Sequence, residues 1–332
     1  MATRALHHTV ALLPDTLLHQ RYLVERMIGT PGSSGVTYFA YDQIGNRSVA
    51  IREFLPSTLA SRSSDRTTVV PRGGEHDAAF QDALARFVAD AERLMRVAHL
   101  NVVRVSGMFR DNDTAYLVLD GYEGVPLEEH VMRAGGRLRW KAASQLVLRL
   151  LDGLVAVHAA GLVHGDVSMS NVLFTAGGRP VLANFGGLLE RHDGEEPGPA
   201  TDVYDAAGLL YRLVTGQSAT DFADEVALSD EECPPGLRAT IATGLARDPR
   251  HRPPDAQSYQ RLLKAALGQN PLSMTLTRPP ETVPSDWSMT KSGTFSAPTA
   301  PVARTRLPVE KIITVAIILL VVAVGVWSLL GR

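Results

Sequence analysis

The feature that most constrains the fold of this chain is a change in hydrophobic period near residue 121. Upstream, short apolar runs typical of β-strands occur at 22–27, 36–41, 48–52, 102–108 and 115–119. One helical pattern interrupts them, with apolar residues at three- and four-residue spacing from Phe87 to Ala98. Downstream, helical patterns dominate, at 140–160, 202–215, 236–245 and 254–266. The sequence therefore predicts an α+β fold, with a small β-rich lobe followed by a larger helical lobe.

Four short motifs follow one another along these two halves. The segment IGTPGSSGV occupies 28–36, and the strand-type run VAIR ends at Arg52. In the helical half, HGDVSMSN occupies 164–171 and NFG occupies 184–186. Taken in this order, they resemble the glycine-rich loop, third strand, catalytic loop and metal-binding triplet of the protein kinase family.

Two further segments narrow the resemblance to bacterial, eukaryotic-like Ser/Thr protein kinases, namely EFLP at 53–56 and DVY at 202–204. The resemblance covers about residues 22–267 and implies a two-lobed protein-kinase fold with ATP as the cofactor. The predicted domains are an N-terminal extension at 1–21, an N-lobe at 22–121 and a C-lobe at 122–268.

The glycine-rich segment departs from the family spacing. Gly32 and Gly35 fit the pattern Gly-x-Gly-x-x-Gly, but Thr30 stands where the first glycine belongs. Gly29 lies one residue early, as though one residue were inserted, and Pro31 stiffens the turn. Two interpretations stay open at this stage: a hairpin that cradles phosphates, and a hairpin that does not.

Other nucleotide contacts are implied by the resemblance alone. Arg52 replaces the lysine that holds the α- and β-phosphates, and Asp90 replaces the helix glutamate that pairs with it. Arginine is longer than lysine and aspartate shorter than glutamate, so an ion pair across the lobe is predicted, with impaired phosphate positioning. The alternatives are an unpaired surface Asp90, or Glu92 in its place. Asp120, directly after a strand-type run, completes the predicted nucleotide contacts.

The catalytic loop keeps two family positions and loses two. Asp166 matches the base that accepts the substrate hydroxyl proton, and Asn171 matches a residue that helps to hold Mg²⁺. Gly165 stands where the family has arginine, and Ser168 stands where it has lysine, so positive charge near the transferred phosphoryl group is lost. The alternative role for Asp166 and Asn171 is to hydrogen-bond the loop in shape.

The metal-binding triplet departs most. Its expected carboxylate is the neutral amide of Asn184. Mg²⁺ is a hard cation that proteins usually hold through carboxylates and substrate phosphates. The sequence therefore predicts weak Mg²⁺ binding by Asn171 and Asn184, and ATP without firm alignment.

The segment that seats the substrate peptide in the family is short in this sequence. Only fifteen residues separate Gly186 from Asp202, with no Ala-Pro-Glu anchor among them. Arg252 resembles the arginine that pairs with the anchor glutamate in the family, so a different partner is expected for it, with Glu195 or Glu196 as candidates.

The C-terminal part predicts a membrane anchor. Residues 269–311 contain seven prolines and twelve Ser or Thr residues, which predicts a flexible linker. Residues 312–330 are nineteen almost purely apolar residues, long enough as a helix to extend about 28 Å and cross a hydrocarbon core of roughly 30 Å. Arg304, Arg306 and Lys311 precede this run and only Arg332 follows it, which predicts a single-pass protein of the cytoplasmic membrane with its N-terminal domain in the cytoplasm.

Bulk composition is consistent with that placement. The formal net charge of −2 gives no reason to expect nucleic acid as a partner, and the single Cys233 fits a reducing compartment. The predicted function is a pseudokinase that serves as a scaffold or regulator for a cytoplasmic signalling protein. One alternative is a weakly active Ser/Thr kinase that uses Asp166, Asn171 and Arg52. A third is a nucleotide-dependent enzyme with other chemistry on the same fold.

Overall fold

A computed structural model describes residues 10–32, 35–120, 124–175, 177–185, 198–218 and 233–268 of the chain. These residues belong to one compact unit, Met1–Glu281. Within it, the predicted order of a β-rich lobe and then a helical lobe is confirmed.

The N-lobe is built on an antiparallel sheet. Among the described residues this sheet has the strand order β1-β2-β3-β4-β8-β7, with a separate β5–β6 hairpin. Its elements are β1 (Leu17–Leu18), β2 (Tyr22–Gly32), β3 (Gly35–Asp42), β4 (Arg47–Phe54), β5 (Ala60–Arg62), β6 (Val69–Pro71), helix α1 (His76–Leu94), β7 (Arg104–Asp111) and β8 (Thr114–Asp120).

The C-lobe is mainly helical and carries a small sheet of order β11-β10-β9. Its described elements are β9 (Val125–Pro126), α2 (Leu127–Arg133), α3 (Trp140–Ala159), β10 (Val172–Phe174), β11 (Pro180–Leu182), α4 (Pro199–Thr215), α5 (Pro235–Gly244), a 3₁₀ turn (Pro249–His251) and α6 (Ala256–Ala266).

The folded N-lobe begins upstream of the boundary expected at Tyr22. Leu18 pairs with Tyr22 in the sheet, and both Leu12 and Leu18 are buried in the core. The backbone N–H of Leu12 donates to the Tyr38 hydroxyl at 3.1 Å. Residues from about 10 onward are therefore part of the lobe and not a separate extension.

Helix α1 is fixed to the sheet by stacked aromatic rings. The ring of Phe54, at the end of β4, lies 5.0 Å from Phe87 and 5.6 Å from Phe80, measured between centroids. All three side chains are almost fully buried. Aromatic pairs at such separations contribute about 0.5–1.5 kcal/mol each beyond their area burial, so this cluster holds the helix without any charged group.

Helix α3 forms the centre of the C-lobe core. Among the described residues it is the one helix long and apolar enough to cross a membrane by length and composition, and 56% of its most apolar stretch is buried within the fold. The apolar run at 312–330 and the linker at 269–311 lie outside the described residues, so the membrane anchor stays a prediction.

Candidate nucleotide and catalytic-loop site

The glycine-rich segment forms a hairpin between β2 and β3. Ile28 pairs with Thr37 and Gly32 pairs with Gly35, so β2 advances four residues while β3 moves two. This bulge lies where the sequence suggested an insertion, and it includes Gly29 at φ +66°. At Gly35, with φ +155°, an added Cβ would lie 2.0 Å from the carbonyl oxygen of Glu53, so the two strands approach too closely for any side chain.

The predicted ion pair between Arg52 and Asp90 is wrong. Asp90 pairs with Arg93 on its own helix at 3.2 Å. Burial raises the pKa of the Asp90 carboxyl, with Arg93 and then Arg86 opposing that shift. Arg93 is within reach because residues three apart are neighbours on a helix, while the helix face toward β4 is taken up by Phe80 and Phe87.

Arg52 instead remains close to the glycine-rich hairpin. Its Nη1 donates to the Thr37 hydroxyl at 3.0 Å, and the two residues are direct cross-strand partners. The guanidinium thus stays on the face of the hairpin and is not held by helix α1.

The carboxylate of Asp120 is held by neighbouring strands of the sheet, and its predicted nucleotide contact stays a prediction. Its Oδ1 accepts from the Ser106 hydroxyl at 2.7 Å and from Arg47 Nη1 at 2.8 Å. These partners lie on β7 and at the start of β4 within the sheet, so the side chain ties the strands together.

A buried charged cluster next to Arg52 was missed in the sequence. The Glu53 carboxylate is fully buried, forms an ion pair with Arg62, and accepts hydrogen bonds from the hydroxyls of Tyr38 and Tyr116, each at 2.8 Å. Burial raises the pKa of both tyrosines, so the hydroxyls stay protonated and donate. The position of Glu53 in the EFLP segment was the available signal, but nothing in the sequence identified Arg62 as its partner.

Arg62 also holds the start of the described chain. Its Nε donates to the carbonyl of Val10 at 2.8 Å, and its Nη1 donates to the carbonyl of Thr67 at 2.7 Å. One guanidinium therefore connects the first described residue, the β5–β6 hairpin and the strand that carries Arg52.

In the C-lobe, Asp166, Asn171 and Asn184 lie together. The Asn171 side-chain amide donates from Nδ2 to Asp166 Oδ2 at 2.5 Å and to the Asp166 carbonyl at 3.1 Å. Asn184 Nδ2 donates to Asn171 Oδ1 at 3.2 Å. The carbonyl and the Oδ2 of Asp166 both accept, so the NH₂ group of Asn171 must point toward Asp166. The oxygen of Asn171 then points toward Asn184, which must donate from its own NH₂ group.

The hydrogen bond between Asn184 and Asn171 requires an amide at position 184, because a carboxylate has no N–H group to donate. A carboxylate at position 184 would bring two acceptor oxygens together and would need a cation or a proton between them. Asn184 adopts φ +53°, a left-handed conformation that asparagine tolerates better than most residues. The neutral side chain therefore satisfies Asn171 Oδ1 with no metal.

Asp202 holds the backbone of the catalytic loop. Its carboxylate is fully buried and accepts from the backbone N–H groups of Gly165 at 2.7 Å and His164 at 2.9 Å. It also accepts from His158 Nε2 at 2.8 Å. Gly165 has φ +76°, a backbone conformation that suits glycine.

His164 is fixed in one neutral tautomer. Its Nε2 lies 3.0 Å from the carbonyl of Ala183, which only accepts, and its Nδ1 lies 3.3 Å from the backbone N–H of Asp166, which only donates. Burial lowers the pKa of this imidazole, consistent with the neutral form. Its ring lies 4.5 Å from Phe185, so the catalytic loop and the NFG triplet are packed together.

Asp205 is a second acidic residue of this region that was missed. It accepts from the backbone N–H of Val167 at 3.2 Å, and burial raises the pKa of its carboxyl to about 6. Its position one helical turn after Asp202 was the signal available in the sequence. Ser168, by contrast, is half-buried, and its hydroxyl lies 2.9 Å from that of Ser170.

Arg252 contacts an aromatic ring and two backbone carbonyls within the C-lobe. Its guanidinium lies 4.5 Å from the ring centroid of Tyr204, and it donates to the carbonyls of Ala246 at 2.7 Å and Arg247 at 3.0 Å. The alternative partners Glu195 and Glu196 lie outside the described residues, so the prediction about them stays untested.

Comparison with known proteins decides the family. The sequence model of the protein kinase domain matches residues 22–201, more than half of the chain. This chain belongs to the protein kinase family. The chain is 28% identical over 275 residues to the serine/threonine-protein kinase PkaA of Streptomyces coelicolor, covering 74% of this chain and 49% of PkaA.

Further relatives are of the same kind. The chain is 28% identical to the serine/threonine-protein kinase PknA of Mycobacterium tuberculosis, over 79% of this chain and 65% of PknA. The chain thus spans about half to two-thirds of the length of these relatives. Among solved structures, the one titled PpkA-294 apo form matches with a TM-score of 0.61 and 26% identity, covering 76% of this chain and 99% of that one.

Proposed function

We propose that this bacterial Ser/Thr kinase homologue is a pseudokinase: a kinase-like domain with impaired phosphotransfer that serves as a membrane-anchored scaffold or regulator in signalling. The observation that carries the proposal is the hydrogen bond from Asn184 Nδ2 to Asn171 Oδ1. Asn171 Oδ1 is the oxygen that would bind the metal in the family. Here it accepts a hydrogen bond from Asn184, the residue that replaces the metal-binding carboxylate.

The described residues do not fit Mg²⁺ well. The candidate ligands are the amide oxygens of Asn171 and Asn184, and Asp166 is already engaged by Asn171. No group of three or more His, Cys, Asp or Glu side chains within the described part of the chain could hold a metal ion. Mg²⁺ loses water reluctantly and is held in proteins mainly by carboxylates and substrate phosphates. Two neutral amide oxygens therefore would not compensate for the loss of its bound water.

Positive charge around the reacting phosphoryl group is also reduced. Ser168 replaces a lysine, and its hydroxyl lies beside Ser170. Loss of one electrostatic donor to a transition state commonly costs about 2.7–4 kcal/mol. Together with the missing metal carboxylate, this change predicts phosphotransfer far slower than in an intact kinase.

ATP remains a candidate ligand without catalysis. Arg52 lies beside Thr37 on the hairpin and would contact phosphates, and the backbone of the Gly29–Gly35 hairpin would cover them. A nucleotide bound in this way supplies charge and ordering between the lobes.

The second candidate function is weak Ser/Thr phosphotransfer. Asp166 keeps the position of the family base, and the loop around it is fixed through Asp202, His164 and Phe185. An intact loop of this kind would still orient a substrate hydroxyl. The names of PkaA and PknA favour the same activity.

The membrane anchor and the protein partner belong to the same proposal. The apolar run at 312–330 would place the domain at the cytoplasmic leaflet, and the linker at 269–311 would set its reach. A cytoplasmic signalling protein would then meet the domain near the membrane. Carbonate extraction of membranes from cells that express the full chain tests the anchor: retention in the pellet supports it, and release into the supernatant contradicts it.

Thermal unfolding of residues 1–281 tests the catalytic proposal. The core cluster lies within residues 12–263, so this fragment keeps every described core contact. We expect wild type to show no Mg²⁺-dependent stabilisation by ATP, and ATP alone either stabilises the domain or leaves it unchanged. A stabilisation that requires Mg²⁺ would contradict the pseudokinase proposal.

Asn184→Asp provides the matched variant. Without a divalent cation it should unfold more readily by about 1–3 kcal/mol, because two oxygens then face each other. With Mg²⁺ and ATP at about a hundred times the dissociation constant, binding should restore about 2.7 kcal/mol. Phosphotransfer by wild type that is abolished in Asp166→Ala would favour the second candidate.

A further inference from the structure

Charge is strongly segregated on the C-lobe. The chain carries a formal net charge of −2, yet residues 130–151 contain four arginines and one lysine and no acidic residue. The first part of this stretch runs from the end of α2 to the start of α3. We define the basic corner as Met132, Arg137, Arg139, Trp140 and Lys141.

The charged side chains of the basic corner are exposed to solvent. Between the two arginines, Leu138 donates from its backbone N–H to the carbonyl of Leu213 at 2.6 Å, and its side chain packs against the core. This anchor leaves Arg137 and Arg139 exposed on either side of it. The loop therefore presents its charges from a fixed point of the C-lobe.

Nearby acidic residues are already paired elsewhere. Glu129 forms an ion pair with Arg133 on α2, and Glu128 lies 3.6 Å from Arg212 on α4. Within the described part of the chain, no acidic group lies within ion-pair distance of Arg139 or Lys141. The Lys141 ammonium lies 5.3 Å from the ring centroid of Trp140.

Apolar groups accompany the charges. The side chain of Met132 is 70% exposed at the end of α2, and Trp140 is half-buried beside Lys141. Basic side chains next to an exposed methionine and an amphipathic indole suit a surface that is anionic outside and apolar just beneath.

We infer that the basic corner binds the anionic surface of a lipid bilayer. The inference takes from the proposed function only the placement of the domain beside a membrane. Each basic side chain near an anionic leaflet is attracted to it, and the attraction is screened by salt. The corner would hold the C-lobe against the membrane and so fix which face of the domain points to the cytoplasm.

Vesicle co-sedimentation of residues 1–281 tests this inference, because the fragment lacks the predicted anchor. Vesicles of phosphatidylcholine alone are compared with vesicles that contain roughly one-third phosphatidylglycerol, at low and at high salt. We expect the fragment to bind the anionic vesicles at low salt only. Equal binding to both vesicle types, or binding to neither, would overturn the inference.

The double variant Arg139→Glu with Lys141→Glu should weaken partition to anionic vesicles at least about tenfold. The control is Arg96→Glu with Arg110→Glu, which makes the same change of charge at exposed positions of the N-lobe. An equal loss in both pairs would show attraction by net charge alone and would also overturn the inference. Neither result depends on nucleotide binding or on membrane extraction of the full chain, so failure here is separate from failure of the proposed function.

Discussion

The buried carboxylate of Asp202 accepts a hydrogen bond from the backbone N–H of Gly165 at 2.7 Å, which joins helix α4 to the catalytic loop. The same carboxylate accepts from the N–H of His164, and a neutral His164 in turn holds Asp166. Asp202 thus fixes the backbone at the start of the catalytic loop from the side of helix α4.

The first prediction concerns this support. Asp202→Ala should lower the free energy of unfolding by about 3–5 kcal/mol, because it leaves buried N–H groups of His164 and Gly165 without acceptors. Urea denaturation of residues 1–281 measures the change. The control Asp248→Ala removes a partly exposed carboxylate that accepts from the N–H of Arg250, and it should cost far less. Similar losses in the two variants would contradict this account.

The second prediction concerns the buried pair in the N-lobe. Arg62→Ala should destabilise the domain by about 3–5 kcal/mol, because the buried Glu53 carboxylate then loses its cation. Arg72→Ala, which removes an exposed arginine bonded to the carbonyl of Ser57, should change stability by less than about 1 kcal/mol.

A double-mutant cycle checks the mechanism behind that prediction. Adding Glu53→Gln to Arg62→Ala neutralises the charge that was left unpaired, so the double variant should be less destabilised than the sum of the two single variants. Strict additivity, measured by the same urea titrations, would mean that the pair does not interact.

The third prediction separates two glycines of the hairpin. Gly35→Ala should cost more than about 2 kcal/mol, because its Cβ would meet the carbonyl oxygen of Glu53 at 2.0 Å. Gly29→Ala has open space around its Cβ and should cost about 1 kcal/mol, from its positive φ alone. Thermal melts of both variants give the comparison, and an equal effect would argue against the close approach of β3 to β4.

The fourth prediction concerns pH. The folded-state pKa of Asp205 is raised to about 6, above its ordinary value of 3.8, so the folded state binds this proton more tightly than the unfolded state. The contribution of Asp205 to stability therefore falls as pH rises from about 4 to 6 and stays low above 6.

Asp205→Asn isolates that contribution. Its amide oxygen can still accept from the N–H of Val167, and the variant should be more stable than wild type at pH 7 by about 1–3 kcal/mol. Near pH 4 the difference should shrink toward zero, as measured by urea denaturation at each pH. A difference that is constant with pH would show that the carboxyl does not titrate in this range.

The two-lobed architecture and the residues of the catalytic loop could be predicted from the sequence. Strand-type runs and helical periods predicted the two lobes because side-chain burial repeats with the backbone geometry of each element. The motif order identified Asp166, Asn171 and Asn184, which the structure brings together. It also suggested one inserted residue near Gly29, and in the structure β2 carries two extra residues against β3 between Ile28 and Gly32.

The pairing of most charged groups could not be predicted in this way. Asp120 pairs with Arg47, Arg252 packs on Tyr204, and Glu53 pairs with Arg62. Such pairs depend on which side chains meet after distant segments pack, and sequence spacing carries little of that information beyond one helical turn. For the same reason, the donation from Asn184 to Asn171 follows from the geometry of three side chains on two separate loops, although its residues could be read from the sequence.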